Sequence, residues 1–376
     1  MPYKRTDPNL APPSATSLTV KLKSSHLFFK YLKQFSKRTQ AFSFALLLGS
    51  FSYFMIVFLL GKDQTDQINC KTNYGTRNVT PLTILLWTWP LKYQFPLNNC
   101  PNSEGAGCFY TTDRTLYPKA DAVVISHRDV YTSEELLPPE WRPPDQYWIW
   151  FSMESPSNCL NLSLMDNKIN LTMTYRLDSD IFTPYGWLEK ANREENFTIP
   201  EKSYMVAWIV SNWNTKYRRT KYYEELEKYI TIDVFGENHL PLPWNETFQT
   251  LATYKFYLAF ENSFHEDYIT EKFWKNAIMV GTVPIVMGLS RKNYERFVPA
   301  DAFIHVDDFS SPQELAKYLW SLDEDENRYR QYFNWRFRYQ PAKLDDIFQS
   351  GYCKICRELK AVTPFRTLPS IAEWFK

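Results

Sequence analysis

The sequence lacks the short motifs that mark several common enzyme classes. No Gly-x-x-x-x-Gly-Lys-Ser/Thr run occurs, and Gly105 and Gly107 have no third glycine partner and open no clear helix, so neither common nucleotide-binding fingerprint is present. There is no Gly-x-Ser-x-Gly, and the five histidines have no metal-ligand spacing. These absences argue against P-loop enzymes and against dinucleotide-binding enzymes that carry the glycine-rich turn. They also argue against serine hydrolases with a Gly-x-Ser-x-Gly nucleophile elbow and against zinc enzymes with histidine ligands.

Net charge is small, but it is unevenly distributed. The chain of 376 residues has a formal charge of +1. Residues 1–41 carry eight Lys or Arg against one Asp, which leaves 35 basic and 41 acidic residues for the remainder. A mildly acidic main body argues against nucleic-acid binding. Aromatic residues at 17% and hydrophobic residues at 44% exclude disorder as the dominant state, and the length has room for about two domains.

One long uncharged run stands near the N-terminus. Residues 41–61, AFSFALLLGSFSYFMIVFLLG, span 21 residues, and a helix needs about 20 to cross a membrane. The basic segment before this run predicts a cytoplasmic tail at 1–40, a transmembrane signal anchor at 41–61 and a stem at 62–80, with the body in the secretory lumen. A cleaved signal peptide is the alternative, but no small-x-small site clearly follows the run.

Sequons and cysteines agree with a lumenal body. Five N-glycosylation sequons without proline follow the anchor and none precedes it, and their asparagines are the predicted glycosylation sites: Asn78, Asn161, Asn170, Asn196 and Asn245. All six cysteines also follow the anchor, where disulfides are allowed. The C-terminal pair Cys353 and Cys356 could instead form a redox or zinc motif, but no second Cys-x-x-Cys, histidine pair or thioredoxin-like context supports that alternative.

The apolar pattern predicts an α/β protein with two doubly wound halves and a cleft between them. Buried strands are predicted in the first half at 83–89, 121–126, 147–153 and 171–175. In the second half the predicted strands are 204–210, 229–235, 254–260, 282–287 and 302–306, with helices at 217–229 and 312–322. The spacing of the first-half strands leaves room for crossover helices, which is typical of a parallel sheet.

Residues 254–288 form the centre of the second half. They predict a strand, a polar turn, a helix with Asp267 as N-cap and another strand, which together make a βαβ unit. In such units ligands bind at the carboxyl ends of the strands, and helix starts attract anions. Glu271 and Lys272 in the first turn could hold a ribose diol and neutralise a phosphate. The alternative is that both are ordinary solvated charges.

A second candidate motif is Asp178-Ser-Asp180. It looks like the Asp-x-Asp that holds a metal ion and a sugar nucleotide in many transferases. It lies in the first half, away from the predicted nucleotide cleft, and such short motifs arise easily by chance. A structural role is therefore expected for it, and no metal site is predicted.

Several segments resemble one family. FENS at 260–263 and DYITEK at 267–272 resemble the signature of the Golgi α1,3-fucosyltransferases of animals, the Lewis-type family. Further similar segments are WIWFSMESPSNC at 148–159, TMTYRLDSDIFTPYGW at 172–187, VSNWN at 210–214, NYERFVPADAFIHVDDF at 293–309 and YFNWR at 332–336. The likeness runs from residue 82 to the end. The cytoplasmic tail departs from the family in being longer than usual.

The resemblance implies the GT-B fold, in which two Rossmann-like domains face a cleft. It implies an acceptor-binding domain at 81–195, a GDP-fucose-binding domain at 196–345 and a segment at 346–376 that returns to the first domain. The implied donor-binding residues are Ser211, Asn212, Arg219, Asn262, Tyr268, Glu271 and Lys272. Arg219 and Lys272 would stabilise the charge on the departing GDP in place of a metal ion. No cofactor is expected to be required, and a divalent metal would at most stimulate the reaction.

The implied reaction inverts the anomeric centre, so a base must stand opposite the departing GDP. Glu154, at the end of a predicted first-half strand, is the candidate that the strand pattern and the resemblance both indicate. Its neighbours Trp148, Trp150, Phe151 and Met153 are expected to raise its pKa toward the working pH. The alternative is that Glu154 only hydrogen-bonds a loop.

His127 and Arg128 end another predicted strand of the first half and are expected to face the acceptor. Family members with Arg at the second position tend to prefer Galβ1-4GlcNAc, whereas Trp there accompanies α1,4 transfer to Galβ1-3GlcNAc. Arg128 therefore predicts fucose transfer to O3 of GlcNAc in N-acetyllactosamine chains, which makes Lewis x type epitopes. The rival hypotheses are an α1,3/4-fucosyltransferase that also acts on type 1 chains, and a catalytically silent, membrane-anchored glycan-binding protein on the same fold.

The resemblance also implies two disulfides that tie the chain's end to the first domain, Cys100 to Cys353 and Cys108 to Cys356. Cys159 resembles a free thiol near the donor site in some members. Cys70 in the stem could join two chains as a homodimer. The implied location is the Golgi membrane, in single-pass type II orientation with the catalytic domain in the lumen.

Overall fold

Two parallel β-sheets, one in each half of the chain, form the framework of the protein. The computed structural model describes residues 81–97, 100, 105–191, 197–342, 347–361 and 365–376, which all belong to one compact unit. Within these residues no helix is long and apolar enough to cross a membrane. The predicted tail, anchor and stem, the sequons Asn78 and Asn196, and Cys70 lie outside the described residues.

The first sheet has six parallel strands in the order β2-β1-β3-β4-β5-β6. They are β1 Leu82–Leu86, β2 Cys108–Thr111, β3 Ala122–Ser126, β4 Tyr147–Ser152, β5 Leu171–Thr174 and β6 Ile181–Phe182. The four predicted strands are confirmed. The two that were not predicted are short, and they lie at the two edges of the sheet, where the apolar pattern is weakest.

The second sheet has five parallel strands in the order β12-β11-β10-β8-β9. They are β8 Tyr204–Ile209, β9 Ile232–Phe235, β10 Tyr254–Phe260, β11 Val283–Met287 and β12 Ile304–His305. All five predicted strands are confirmed. A small antiparallel pair joins β7 Leu188–Lys190 to β13 Tyr339–Pro341.

Helices cover both sheets. The α-helices are α1 His127–Val130, α2 Arg218–Leu226, α3 Thr247–Ala252, α4 Glu271–Phe273, α5 Arg291–Tyr294, α6 Pro312–Asp323, α7 Glu326–Gln331, α8 Ile347–Ala361 and α9 Ile371–Phe375. α4 continues as a π-helix, Trp274–Met279. Short 3-10 turns lie at Pro90–Lys92, Arg114–Lys119, Glu134–Leu136, Pro156–Asn158, Leu162–Met165, Ala300–Ala302, Val306–Asp308 and Asn334–Phe337.

The central helix α4 is capped by Thr270, so the prediction of Asp267 as its N-cap was wrong. Thr270 Oγ1 accepts a hydrogen bond from Lys272 N at 3.4 Å. Asp267 instead adopts a φ of 61°, and its carboxylate accepts hydrogen bonds from Leu177 N at 3.0 Å and from Asn293 Nδ2 at 2.9 Å. These partners come from distant parts of the chain, so they leave no local signal in the sequence.

The C-terminal helices pack against the first sheet. Ile371 and Phe375 of α9 are fully buried in a core cluster with Trp150 of β4, and Tyr352 of α8 is buried on the other face of the same sheet. The predicted disulfides are both present, Cys100 to Cys353 and Cys108 to Cys356. The end of the chain is thereby tied to the half that carries Glu154.

Candidate active site

The carboxyl ends of β4 and β10 face each other across the cleft. Glu154 follows β4 by two residues, and the loop at 261–270 follows β10. Three hydrogen bonds of 2.6 Å join the two segments: Tyr268 Oη to Glu154 Oε1, Ser263 Oγ to Ser155 Oγ, and Ser157 Oγ to His265 Nε2. Ligands of parallel sheets bind at the carboxyl ends of the strands, and here the two halves bring those ends together.

Glu154 is held by several hydrogen bonds at one of its oxygens. Oε1 accepts from Tyr268 Oη at 2.6 Å, from Ser155 N at 2.9 Å and from Asn158 Nδ2 at 3.2 Å. Burial raises the pKa of Glu154, but hydrogen bonds lower it by more, so the pKa lies below its ordinary value. The expected upward shift of this pKa was therefore wrong. The carboxylate is ionised at neutral pH, which is the form that a general base requires.

His127 and Arg128 are adjacent in sequence but have different surroundings. Arg128 exposes 64% of its side chain, and its Nη1 lies 3.8 Å from Glu154 Oε2. His127 is buried against Trp150, and its Nε2 lies 2.8 Å from Leu160 O. Burial lowers the pKa of His127, so the ring is neutral and its Nε2–H donates to that carbonyl. The prediction that His127 faces the acceptor was wrong, whereas Arg128 lies beside the candidate base.

A cavity of about 370 Å³ opens beside the loop that follows β10. Its lining is mostly polar or charged: Ser157, Tyr217, Arg218, Arg219, Glu261, Asn262, Ser263, Phe264 and His265. Arg219, in the first turn of α2, is buried, and its Nη2 donates to Asn212 O at 2.7 Å. Its buried Nε has no partner among the described residues. A guanidinium with an unused donor beside a polar cavity is suited to an anionic group.

Lys272 lies between two carboxylates at the start of α4. Its Nζ is 2.9 Å from Glu271 Oε1 and 3.5 Å from Glu261 Oε2. Burial lowers the pKa of Lys272, but the two carboxylates raise it by more, so the group stays charged. Glu261 is completely buried and accepts hydrogen bonds from Thr270 N at 2.8 Å and from the Thr270 hydroxyl. Glu261 thus fixes the start of α4 to the end of β10 and holds Lys272 in place.

The structure brings together part of the predicted donor-binding set. Arg219 and Asn262 line the cavity. Ser211 and Asn212 are exposed just after β8, and Glu271 is paired with Lys272. Tyr268 is buried, and its hydroxyl is bonded to Glu154, outside the lining of the cavity. In this conformation Tyr268 donates its hydrogen bond to the Glu154 carboxylate of the first half.

The Asp-x-Asp motif is used inside the first half. Both oxygens of Asp178 accept from Arg176, each at 2.8 Å. Asp180 Oδ2 accepts from Thr172 N at 2.8 Å and from Thr172 Oγ1 at 2.9 Å. In the part of the chain that the structure describes, no group of three or more His, Cys, Asp or Glu side chains is arranged to hold a metal ion. Both aspartates of the motif therefore make hydrogen bonds within the first half, which is the arrangement expected of a structural role.

Cys159 is a free cysteine packed behind Glu154. Its Sγ lies 3.2 Å from Ser152 Oγ and 3.7 Å from the carbonyl oxygen of Glu154. Burial raises the pKa of the thiol to about 11. The group is therefore a protonated, buried thiol that supports the segment carrying Glu154.

Sequon asparagines within the described residues differ in exposure. Asn161 and Asn245 are exposed. Asn170 has no exposed surface; its Nδ2 donates to Arg366 O at 2.7 Å, and its Oδ1 accepts from Trp148 N at 2.7 Å. A glycan on Nδ2 would break this contact and displace the surrounding core. The prediction of a glycosylated Asn170 is therefore wrong for this fold.

Several residues of the site were not predicted from the sequence. Glu261 could have been found, because a carboxylate directly after a mostly buried, largely apolar strand needs a buried partner. The contacts of Ser155 with Ser263 and of Ser157 with His265 each join residues 108 positions apart. No local pattern announces such pairs.

Comparison with known proteins gives a consistent family. The profile "Fucosyltransferase, N-terminal" matches residues 80–186, and "Glycosyltransferase family 10 (fucosyltransferase) C-term" matches residues 199–374. The relative from Homo sapiens, 4-galactosyl-N-acetylglucosaminide 3-alpha-L-fucosyltransferase FUT5, is 48% identical over 312 residues, which cover 81% of this chain and 83% of that protein. The relative from Bos taurus, 3-galactosyl-N-acetylglucosaminide 4-alpha-L-fucosyltransferase FUT3, is 50% identical over 308 residues, which cover 80% of this chain and 84% of that protein.

A solved structure supports the fold. The crystal structure of an α1,3-fucosyltransferase with GDP-fucose superposes with a TM-score of 0.50, covering 77% of this chain and 92% of the other. Its sequence identity of 16% makes this a likeness of fold alone. The matches to both family profiles, and to a relative 48% identical over 81% of this chain, establish that the chain belongs to glycosyltransferase family 10, the fucosyltransferases.

Proposed function

We propose that this protein transfers L-fucose from GDP-β-L-fucose to O3 of GlcNAc in Galβ1-4GlcNAc chains of glycoproteins and glycolipids, making Lewis x type epitopes. The observation that carries the proposal is the position of a carboxylate, Glu154, just after β4 and opposite a cavity lined by arginines in the other half. Base and leaving-group site thus belong to opposite walls of one cleft, as an inverting transfer requires. The two halves correspond to the GT-B arrangement.

In the proposed step the acceptor hydroxyl attacks the anomeric carbon of fucose from the side opposite GDP. The new bond forms between acceptor O3 and fucose C1, while the bond from C1 to the phosphate oxygen breaks and its electron pair leaves with GDP. Glu154 accepts the O3 proton as the bond forms. The product is an α-fucoside, because the β configuration of the donor is inverted.

Positive charge assists the departing GDP. Arg219 lines the cavity, and Lys272 stays charged between Glu261 and Glu271. Preorganised cations at the phosphate stabilise the charge that develops there and supply what a bound metal ion supplies in other transferases. We therefore expect turnover without an added metal ion, with a divalent ion stimulating it at most.

Arg128 supports the choice of acceptor. Its guanidinium lies beside Glu154, on the side from which the acceptor must approach the base. The two relatives described above carry names for different linkages at nearly equal identity, so overall similarity does not separate type 2 from type 1 chains. Arg128 favours type 2 chains, and an α1,3/4-fucosyltransferase that also uses type 1 chains is the second candidate.

We also propose that the protein is a single-pass type II protein of the Golgi membrane, with its catalytic domain in the lumen. In this proposal a disulfide between the Cys70 residues of two chains would join them as a homodimer. The uncharged run at 41–61 and its basic flank support the anchor, and the two disulfides fit a lumenal body. Protease protection in sealed microsomes tests this orientation. An N-terminal tag should be digested while the catalytic body remains intact, and the opposite pattern would contradict it.

The transfer reaction is tested with the purified full-length chain in detergent. GDP-fucose is supplied with Galβ1-4GlcNAc or Galβ1-3GlcNAc, and the linkage of any product is read by NMR. We expect an α1,3 product on the type 2 disaccharide and little product on type 1, and we expect Arg128→Trp to increase the type 1 share. A folded protein that binds GDP but transfers no fucose would instead be a silent glycan-binding protein.

A further inference from the structure

Tyr268 belongs to the half that carries the cationic cavity, yet its hydroxyl donates a hydrogen bond to a carboxylate of the opposite half. Its Oη donates to Glu154 Oε1 at 2.6 Å, across 114 positions of sequence. The side chain is buried, and burial raises the pKa of Tyr268, so its hydroxyl stays protonated and acts as a donor. A charge-assisted hydrogen bond of this length is among the stronger contacts available to a carboxylate.

The position of Tyr268 is fixed from both halves. Its ring packs against Tyr175 and Tyr185 of the first half, with centroid distances of 5.0 and 6.4 Å. The preceding residue, Asp267, adopts a φ of 61° and bonds to Leu177 N of the first half and Asn293 Nδ2 of the second. A non-glycine residue held in the left-handed region by such partners marks a loop whose shape is specified by its surroundings.

The two oxygens of Glu154 have different surroundings. Oε1 accepts hydrogen bonds from Tyr268, Ser155 and Asn158. Oε2 lies near Arg128, beside a cavity of about 70 Å³ whose lining includes both residues. An oxygen that already accepts several hydrogen bonds is the weaker base, so Oε2 is the oxygen suited to take the acceptor's proton.

We propose that Tyr268 is a positioning residue for the base, a role that rests on the proposed function. Its hydroxyl holds Oε1, keeps the carboxylate ionised and directs Oε2 toward the acceptor hydroxyl. Because Tyr268 comes from the donor half, Glu154 is competent only when the two halves are closed on each other. A donor-binding tyrosine, which the family resemblance implies, would instead direct its hydroxyl at the phosphate or sugar.

Other ionisable groups also face Glu154, and they define the controls. They are Arg128, Cys159, Tyr175 and Tyr185. Burial raises the pKa values of Cys159, Tyr175 and Tyr185, so these groups stay neutral while Glu154 titrates. Tyr175 provides a matched control, because its buried hydroxyl has no hydrogen-bond partner among the described residues and its ring touches Tyr268.

The test compares Tyr268→Phe with Tyr175→Phe in the full-length chain. The acceptor kcat/KM is measured between about pH 5 and 8 at saturating GDP-fucose. The acid limb is the fall of kcat/KM as the pH is lowered through the pKa of Glu154. We expect Tyr268→Phe to move this limb to higher pH and to lower kcat/KM at acid pH about tenfold, with GDP affinity unchanged. Tyr175→Phe should leave the limb where it is. The proposal is overturned if the acid limb of the pH profile of Tyr268→Phe stays at the wild-type pH, whether or not the variant also loses affinity for GDP.

A second measurement does not depend on turnover. The Glu154 carboxyl carbon is titrated by NMR in protein labelled at glutamate, and its signal is assigned by its loss in Glu154→Gln. We expect a higher midpoint in Tyr268→Phe than in wild type and Tyr175→Phe. Equal midpoints overturn the positioning role. Because this titration needs no substrate, a protein without transferase activity would refute the proposed function while the hydrogen-bond claim is still measured.

Discussion

Lys272 Nζ lies 3.5 Å from Oε2 of Glu261, a carboxylate with no exposed surface. The contact has two consequences, since Lys272 both neutralises a buried acid and presents positive charge at the start of α4. Breaking a buried pair by removing one partner costs about 3 kcal/mol, because the other charge is left unpaired. The stability effect and the donor effect of Lys272 are therefore mixed in a single substitution.

Lys272→Met should lower both the free energy of unfolding, by about 3 kcal/mol, and the affinity for GDP-fucose. Adding Glu261→Gln removes the buried charge, so the double variant should recover most of the lost stability and none of the lost affinity. Denaturant unfolding and calorimetric titration with GDP measure the two effects separately. Recovery of both properties in the double variant would mean that Lys272 acts on the donor only through the fold.

The free energy of unfolding should depend strongly on whether the two disulfides are formed. Cys100–Cys353 and Cys108–Cys356 close loops of 253 and 248 residues, for which the loss of unfolded-state entropy is large. Removal of either bridge by paired Cys→Ser substitution should lower the free energy of unfolding by about 2 to 5 kcal/mol. Cys159→Ser is the control, because this thiol forms no bridge. A bridge variant as stable as wild type would contradict the role of these disulfides in fixing α8 to the first half.

Stability should also depend on pH through Lys202. Its Nζ donates to Ala252 O at 2.8 Å and to Gly281 O at 2.7 Å, and burial lowers its pKa to about 7. The folded protein then binds fewer protons than the unfolded chain between pH 7 and the ordinary lysine value near 10.5, so stability rises with pH in that window. Denaturant unfolding at about pH 7 and 9 should show this rise in wild type and a smaller one in Lys202→Met. An equal rise of the free energy of unfolding with pH in the two proteins would contradict a lowered pKa for Lys202.

Glycan occupancy provides a further check. Enzymatic release of N-glycans in heavy-oxygen water labels each formerly glycosylated asparagine, and peptide mass spectrometry then locates the label. The exposed Asn161 and Asn245 should be labelled, and the buried Asn170, whose Nδ2 is bonded to Arg366 O, should not. A labelled Asn170 in soluble, folded protein would contradict the core described around Trp148.

The sequence predicts the fold better than it predicts the site. The bounds of β10 were predicted correctly, because Tyr254–Phe260 is an aromatic-rich, largely apolar run with Lys255 as its one charge, and polar residues stand on both sides of it. The disulfide pairing was implied by the family resemblance, and four cysteines by themselves allow three pairings. Edge strands such as β2 escaped prediction because a short, half-exposed strand has no distinct pattern.

The errors share one physical cause. His127, Asp267 and Asn170 each have a residue type that suggests a local role: acceptor contact, helix cap and glycan acceptor. In the structure each is buried by partners far away in sequence, namely Leu160 for His127, Leu177 and Asn293 for Asp267, and Arg366 for Asn170. The pKa of Glu154 follows this rule only in part, because one hydrogen-bond donor, Tyr268, is 114 positions away, whereas Ser155 N and Asn158 Nδ2 are local.

The measurement that tests the central claim most directly is the turnover of Glu154→Gln in parallel with its affinity for GDP. Glutamine keeps the size of the side chain and one acceptor oxygen for the hydroxyl of Tyr268, but it cannot accept the acceptor's proton. Turnover should fall by about 10²- to 10⁴-fold while the Kd for GDP stays within about twofold of wild type. Glu135→Gln, an exposed acid in the same half, should transfer fucose at the wild-type rate. Wild-type turnover by Glu154→Gln would contradict the assignment of Glu154 as the base.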